Sequence, residues 1–306
     1  MNAPSPGVSR AKPLDRLFEP RSIAVAGATT TARKLGNVLI ERLAAGFQGK
    51  LYPVHPTHPE IAGLRAYPDL AAIPEPIDLL VALLPGRQLL ELVEACAPGR
   101  VHMLLAVPAG FAEAGQEGIA MQAALAHAAA ARGMRLVGPN CMGMINAAAG
   151  INASLAPELP RGGRGLSIVT QSGGFAIAVT MYANDHQLPV AKIVDLGNMA
   201  DLQLAEVLDH LTEDPETEVI GLFLEAAGHT DDHARALARA AARKPVVLTR
   251  LGRTAVGRAA SHAHIGPAGP PVALPSPATR NLSIARTGAE LLDLAKACLL
   301  YTSRCV

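Results

Sequence analysis

Twice in this chain a short apolar run ends at a glycine-bearing turn that opens straight into a helical stretch, and this repeat constrains the fold more than any other feature. The first instance is Ser22-Ile23-Ala24-Val25-Ala26, then Gly27-Ala28-Thr29-Thr30-Thr31, then a helical pattern through Val38, Leu39, Leu43 and Ala44 that stops at Gly46. The second is Leu166-Ser167-Ile168-Val169, then Thr170-Gln171-Ser172-Gly173-Gly174, then a helix from about Phe175 to Asp185. Further strands are expected at Leu51–Val54, Leu79–Leu84, His102–Val107, Arg135–Val137, Ala191–Val194, Val219–Leu224 and Pro245–Leu248, with helices between most of them. The wholly apolar Leu79–Leu84 run reads as a central strand buried on both faces. Strands alternating with helices at this spacing predict parallel sheets covered by helices on both sides. Residues Asn146–Gly165, with Pro157, Pro160 and Gly162-Gly163, read as a loop that divides two such units.

Half of the 306 residues are apolar, enough for two cores. A net charge of +1 gives no reason to expect a nucleic-acid or membrane surface. No apolar run reaches the ~18 residues that span a bilayer, and the polar segment Met1–Lys12 reads as a tail without an apolar signal core. Cys96, Cys141, Cys298 and Cys305 form no CxxC pair, and the ten His lack ligand spacing. A reduced, cytoplasmic chain without a metal site is expected.

Ligands of parallel sheets sit at the carboxyl ends of the strands. Here the loops at those ends are Gly27–Gly36, Pro85–Arg87, Pro108–Phe111 and Gly138–Gly143. In the first, glycine permits a sharp turn and a close ligand approach, the next helix presents free N–H groups to an anion, and Thr hydroxyls and Lys34 can add phosphate contacts. The loop is neither GxGxxG nor a Walker loop, and a plain helix cap would look similar. The Gln171-Ser172-Gly173-Gly174 turn is a second anion cradle, although Ser172 is explained as well by N-capping. Glu225 ends a strand, as functional carboxylates often do and surface carboxylates also do. Gly252-Arg253-Thr254 is a basic turn, and His262 and His264 follow it. One of those imidazoles is a candidate nucleophile toward phosphate; two His in a small-residue stretch are alone weak grounds.

A set of ordered motifs resembles the α-type portion of NDP-forming acyl-CoA synthetases (acetate–CoA ligase, ADP-forming), relatives of the succinyl-CoA synthetase α subunit. They are Phe18-Glu19-Pro20-Arg21-Ser22 leading to Gly27-Ala28, Gly46-Phe47-Gln48-Gly49-Lys50-Leu51-Tyr52-Pro53-Val54, Ala109-Gly110-Phe111-Ala112-Glu113 and Gly138-Pro139-Asn140-Cys141-Met142-Gly143. Gln171-Ser172-Gly173, Gly197-Asn198-Met199-Ala200-Asp201, Lys244-Pro245-Val246-Val247 and Gly252-Arg253-Thr254 continue the series. The resemblance implies an N-terminal Rossmann-type CoA-binding domain over 13–147 and a flavodoxin-like, succinyl-CoA-synthetase-type parallel α/β domain over 160–300. It implies a reversible reaction in which acyl-CoA and phosphate yield acid and CoA through an acyl phosphate, and a phosphohistidine passes the phosphoryl group to ADP or GDP. By the same resemblance CoA lies against Gly27, Thr29, Lys34 and Gly36, Pro139-Asn140 lies near its thioester end, Gln171-Ser172-Gly173 cradles the phosphoryl group, and Glu225 orients the histidine.

The chain departs from the family at the histidine. The family carries Ser-His-Thr-Gly; here Ser261-His262-Ala263-His264-Ile265-Gly266-Pro267-Ala268-Gly269 stands, followed by a Pro-rich stretch from Pro270 to Arg280. The ungapped register makes His262 the catalytic residue and is preferred; a one-residue slip would make it His264 and retain Gly266. No ATP-grasp portion is found, so an ATP-grasp partner holding ATP/ADP or GTP/GDP with Mg2+ is expected, and homo-oligomerisation as well. The other readings are a non-catalytic CoA- or acyl-CoA-binding module with a degenerate histidine loop, and a nicotinamide dehydrogenase. The last lacks GxGxxG, and Pro53-Val54-His55 stands where an acid would close the second strand.

Overall fold

The computed structural model describes residues 14–225, 230–252, 254–265 and 279–302. The tail before residue 14, Arg253, the Gly266–Gly269 turn, most of the Pro-rich stretch and Cys305 lie outside them. A short helix α1 (Asp15–Phe18) leads into a five-stranded sheet of β1 (Ser22–Ala26), β2 (Lys50–Val54), β5 (Ile77–Ala82), β6 (Val101–Ala106) and β7 (Arg135–Val137). A small hairpin, β3 (Glu60–Ile61) and β4 (Leu64–Arg65), follows β2. The order is β2-β1-β5-β6-β7 with every pair parallel. The chain leaves β1 in one direction and returns past it to β5, so the order reverses between those neighbours, where open α/β sheets form their ligand crevice. Helices α2 (Leu35–Gly46), α3 (Gly86–Ala95) and α4 (Gln116–Ala131) cover its faces, and all residues of β1 and β5 are buried. This is the Rossmann-type unit that the first strand–turn–helix predicted.

The second sheet contains β8 (Gly143–Asn146), β9 (Ile151–Ser154), β10 (Gly162–Thr170), β11 (Val190–Asp195), β12 (Thr217–Leu224), β13 (Val246–Arg250) and β14 (Leu282–Ala285). Its order is β14-β13-β12-β10-β11-β8-β9. The five strands from β14 to β11 run parallel, and α5 (Gly173–Asp185), α6 (Leu204–Glu213), α7 (Thr230–Ala241), α8 (Ala255–Ile265) and α9 (Gly288–Thr302) connect or flank them. This is the flavodoxin-like parallel unit.

One expectation is corrected here. Residues Asn146–Gly165 are not a dividing loop: β8 and β9 form an antiparallel hairpin on the edge of the second sheet, and β10 begins at Gly162. Residues 143–147, read with the first unit, therefore hydrogen-bond into the second sheet. The hairpin was concealed by Asn146, Asn152 and Ser154, polar residues that are nevertheless buried. Their partners are internal: Asn146 Nδ2 donates to the Phe18 carbonyl at 2.9 Å and Asn152 Nδ2 to the Ala156 carbonyl at 3.3 Å. A buried amide so paired avoids most of its desolvation penalty.

The two sheets share one apolar core. Val25, Leu39, Ile40, Leu79 and Val81 from the first half and Ile151, Val169, Val194 and Leu222 from the second belong to a single cluster. Helix α2 lies between the sheets and packs on β9, and Arg42 Nη1 donates to the Ser154 carbonyl at 3.0 Å. At the end of α2, a Cβ on Gly46 would stand 2.3 Å from the Gly150 oxygen, so the hairpin turn and the helix can meet only through glycine. No helix among the described residues is long and apolar enough to cross a membrane.

Candidate functional site

The loop after β1 is held by two glycines that need each other. Gly27 has φ of +89°, in the left-handed region, and a Cβ on Gly36 would stand 2.1 Å from the Gly27 oxygen. The first turn of α2 thus rests directly on the loop backbone. Lys34 is the N-cap residue of α2, exposed, with an extended backbone and no side-chain capping bond. Lys34 thus directly precedes the first-turn amides of α2, and a cation next to free helix donors is suited to a phosphate. Thr29 Oγ1 accepts from the Thr31 amide at 3.2 Å and tightens the turn. Of the sequence candidates, Gly27, Thr29 and Lys34 line this loop, while Gly36 is buried and acts by close packing.

Pro139 and Asn140 lie in the seam between the two sheets. A Cβ on Gly197 would stand 2.3 Å from the Pro139 oxygen, so the loop after β7 and the loop after β11 touch backbone to backbone. The Asn198 amide donates to the Pro139 carbonyl at 2.9 Å, and Asn140 Nδ2 donates to Asn198 Oδ1 at 3.3 Å. Asn198 Nδ2 donates in turn to Glu113 Oε2 at 2.6 Å and Gln122 Oε1 at 2.9 Å. Burial opposes ionisation of Glu113, but the bonds from Asn198 and from the Gly110 and Phe111 amides outweigh it and hold the carboxyl below its usual range.

The third group stands on the second sheet. Ser172 is the N-cap of α5, and its Oγ accepts from the Phe175 amide at 3.3 Å. Gln171 is buried, and its Oε1 accepts from the Glu225 amide at 3.0 Å. The side-chain oxygens of Gln171 and Ser172 thus have structural partners, and the donors that helix geometry leaves for an anion are first-turn amides such as those of Gly173 and Gly174. The space beside Gly174 is open: no atom lies within 4 Å of where its Cβ would be. Ser172→Ala is expected to cost about 1 kcal/mol of stability through loss of the cap while leaving anion binding at the cradle within about twofold, since the first-turn amides supply most of its donors. Thermal melts with titration of inorganic phosphate check both halves.

The two histidines differ in their relation to Glu225. Glu225 meets His264, not His262: His264 Nδ1 lies 2.8 Å from Glu225 Oε1. Both histidines are on α8, where residues two apart point about 200° apart and residues three apart only about 60°. Ser261 also hydrogen-bonds Glu225 and is buried, so His264 shares its side of the helix and His262 turns away to solvent. The Glu225 side chain is only 6% exposed, whereas that of His264 is 50% exposed. Burial raises the Glu225 pKa above the usual carboxylate range, and the His264 imidazole partly offsets this. The carboxylate thereby holds Nδ1 and leaves Nε2 outward. Helix α8 also packs on the 3-10 turn Ala112–Ala114 of the first half, so the histidine lies beside the seam.

Sequence reasoning missed Asp195. It ends β11, is fully buried, and accepts from the Met142 amide at 2.6 Å and the Gly197 amide at 3.1 Å. The only signal was a carboxylate closing the strand Ala191-Lys192-Ile193-Val194, in the position that singled out Glu225.

A family model described as a CoA binding domain matches residues 21–147, and one described as a succinyl-CoA ligase like flavodoxin domain matches residues 163–298. The chain is 36% identical over 253 residues to acetate–CoA ligase [ADP-forming] I of Archaeoglobus fulgidus, covering 83% of this chain and 37% of the relative. It is 30% identical to the α subunit of acetate–CoA ligase [ADP-forming] II of Pyrococcus furiosus, covering 83% of this chain and 55% of that subunit. The chain thus spans between about a third and a half of these curated relatives. Among solved structures, dinucleotide forming acetyl-coenzyme A synthetase 1 of Ca. Korarchaeum cryptofilum, in complex with phosphate and ADP, superposes with a TM-score of 0.83 at 31% identity, over 93% of this chain and 62% of that one.

Proposed function

Because the chain belongs to the ADP-forming acetate/acyl-CoA ligase family, in its CoA-binding and succinyl-CoA-ligase-like portion, we propose that it carries both CoA and the phosphoryl group in a reversible acyl-CoA synthetase. Phosphate attacks the thioester carbonyl, the C–S bond breaks, and CoA leaves with an acyl phosphate. His264 Nε2 then attacks phosphorus, the acyl P–O bond breaks, and the carboxylic acid departs. An ATP-grasp partner brings ADP or GDP with Mg2+, and the nucleotide takes the phosphoryl group from His264. The pair His264–Glu225 at 2.8 Å, with the carboxylate buried and the ring accessible, is the observation that carries this reading. Nδ1–H donation to Glu225 leaves an unprotonated Nε2 to attack. The amides at the start of α5 offer donors for the transferred oxygens.

The test is phosphorylation of the purified chain by radiolabelled acetyl phosphate, or by labelled ATP with an ATP-grasp partner, giving a base-stable, acid-labile label. A chain that takes no label under either condition is a non-catalytic CoA-binding module instead. Full ligase activity from the chain alone would remove the partner from the proposal.

The CoA part has its own measurement. Lys34→Ala is expected to weaken CoA about fivefold, near 1 kcal/mol for an exposed charge pair, and dephospho-CoA less, because Lys34 is proposed to face the 3′-phosphate. Calorimetry with CoA, dephospho-CoA and NAD reads this out. Equal losses for the first two would shift Lys34 to the diphosphate, and tight NAD binding without CoA binding would overturn the site.

A further inference from the structure

We propose that Asp195 is a positioning residue for phosphoryl transfer, tying the CoA-side loop at Met142 to the loop at Gly197 beside the α5 cradle, so that charge arriving at the cradle loosens the seam. The proposal rests on the phosphohistidine reading above. Its geometry is independent of that reading. One carboxylate oxygen of Asp195 accepts from Met142, in the link between β7 and β8, and the other from Gly197, in the loop that backs onto Pro139 and Asn140. The same Oδ2 that holds Met142 would lie 3.4 Å from a Cβ on Gly173, the first residue of α5. Asp195 therefore lies beside the first residue of α5 while it bonds the two loops of the seam.

The ionisable groups that act on this carboxylate come from three sides. Glu225 at the end of β12 repels its charge and His264 on α8 favours it. Cys141, in the same link as Met142, is buried, and its thiol is pushed far up first by burial and then by Asp195. Burial dominates at Asp195 itself and pushes its pKa up to about 6, against the help of the two amides. The group is thus mostly ionised at neutral pH with a minor protonated share, and a further negative charge a few ångströms away enlarges that share.

The linkage follows. When a phosphoryl dianion occupies the cradle, a larger share of Asp195 takes up a proton from solvent and becomes the neutral acid. The oxygen that bears the proton is a poor acceptor, so one of the two amides loses its bond and the seam relaxes. When the phosphoryl group leaves, the proton returns to solvent and the tie closes again. As pH rises through about 6 in the empty protein the tie forms, and below that it opens.

The experiment follows the Met142 and Gly197 amide resonances of the full chain against pH by NMR, with and without saturating inorganic phosphate. The expected result is one shared midpoint near pH 6 that phosphate moves up by about half a unit to one unit, a three- to tenfold gain in proton affinity. Asp195→Asn should abolish the titration, and Asp195→Glu should retain it at a shifted midpoint. The pH profile of His264 labelling should lose its inflection in Asp195→Asn. Separate midpoints for the two amides, or a midpoint that phosphate leaves in place, would overturn the proposal. His264 labelling with a phosphate-insensitive midpoint defeats the coupling alone. A phosphate-linked midpoint in a chain that takes no label leaves the coupling standing and removes the phosphohistidine reading.

Discussion

His264→Ala should reduce phosphorylation of the chain by labelled acetyl phosphate by about a hundredfold or more, whereas His262→Ala should leave it within about threefold. Removing a nucleophile removes the covalent route itself, and losses of this size or larger are usual for such groups. CoA binding, measured by calorimetry, should persist in both variants, because neither ring is in the loop after β1. The expectation rests on which imidazole Glu225 grips. A carboxylate with 6% of its side chain exposed cannot swing out to follow a ring on the far side of α8. For His262 to act, the helix would have to turn by roughly half a revolution, which would expose Ser261, now buried against Glu225. Label lost in His262→Ala and kept in His264→Ala would make the ungapped register correct and reduce the Glu225 contact to a structural pair.

Gly36→Ala should weaken CoA by tenfold or more and lower the melting temperature by several degrees. The added methyl would meet the Gly27 oxygen at 2.1 Å, with the Ala28 Cα at 3.1 Å. Neither neighbour is a flexible side chain, so α2 or the loop must move. Overpacking of this kind costs about 1–3 kcal/mol, and any movement separates the Lys34 ammonium and the α2 amides from the loop they complete. Gly63→Ala is the comparison: Gly63 has φ of +76° but nothing within 4 Å of its Cβ position. That change should carry only backbone strain, about 1 kcal/mol, with CoA affinity unaltered. A Gly36→Ala protein that binds CoA as the parent does would mean that the ligand does not use the first turn of α2.

Much of the architecture could be read without coordinates. Apolar runs such as Ile23–Ala26 and Leu79–Leu84, each ending at a glycine or proline turn, have few folds open to them other than central strands of parallel sheets. Both glycine turns were legible because a chain that passes sharply from strand to helix favours glycine there. The hairpin β8–β9 was not found, because burial of Asn146, Asn152 and Ser154 depends on partners such as the Phe18 carbonyl, which is distant in sequence.

At the site the division is sharper. Glu225 was legible because the end of a strand is a fixed place in any parallel sheet. The Gln171-Ser172-Gly173 turn was legible as a helix start; that Gln171 and Ser172 turn their side-chain oxygens to the Glu225 amide and the Phe175 amide is a matter of tertiary structure for the first and of N-capping for the second. Asp195 carried the same strand-end signal as Glu225 and acquires meaning only when Met142, Gly197 and Gly173 close around it from separate segments. The sequence by itself determined the apolar parallel strands from β1 to β13, the glycine turns and the residue types able to do this chemistry, because these follow from local pattern. Only the tertiary structure shows which of His262 and His264 meets Glu225. Two residues on one helix differ only in the direction they face, and that direction is set by how α8 packs against the Ala112–Ala114 turn and the buried end of β12.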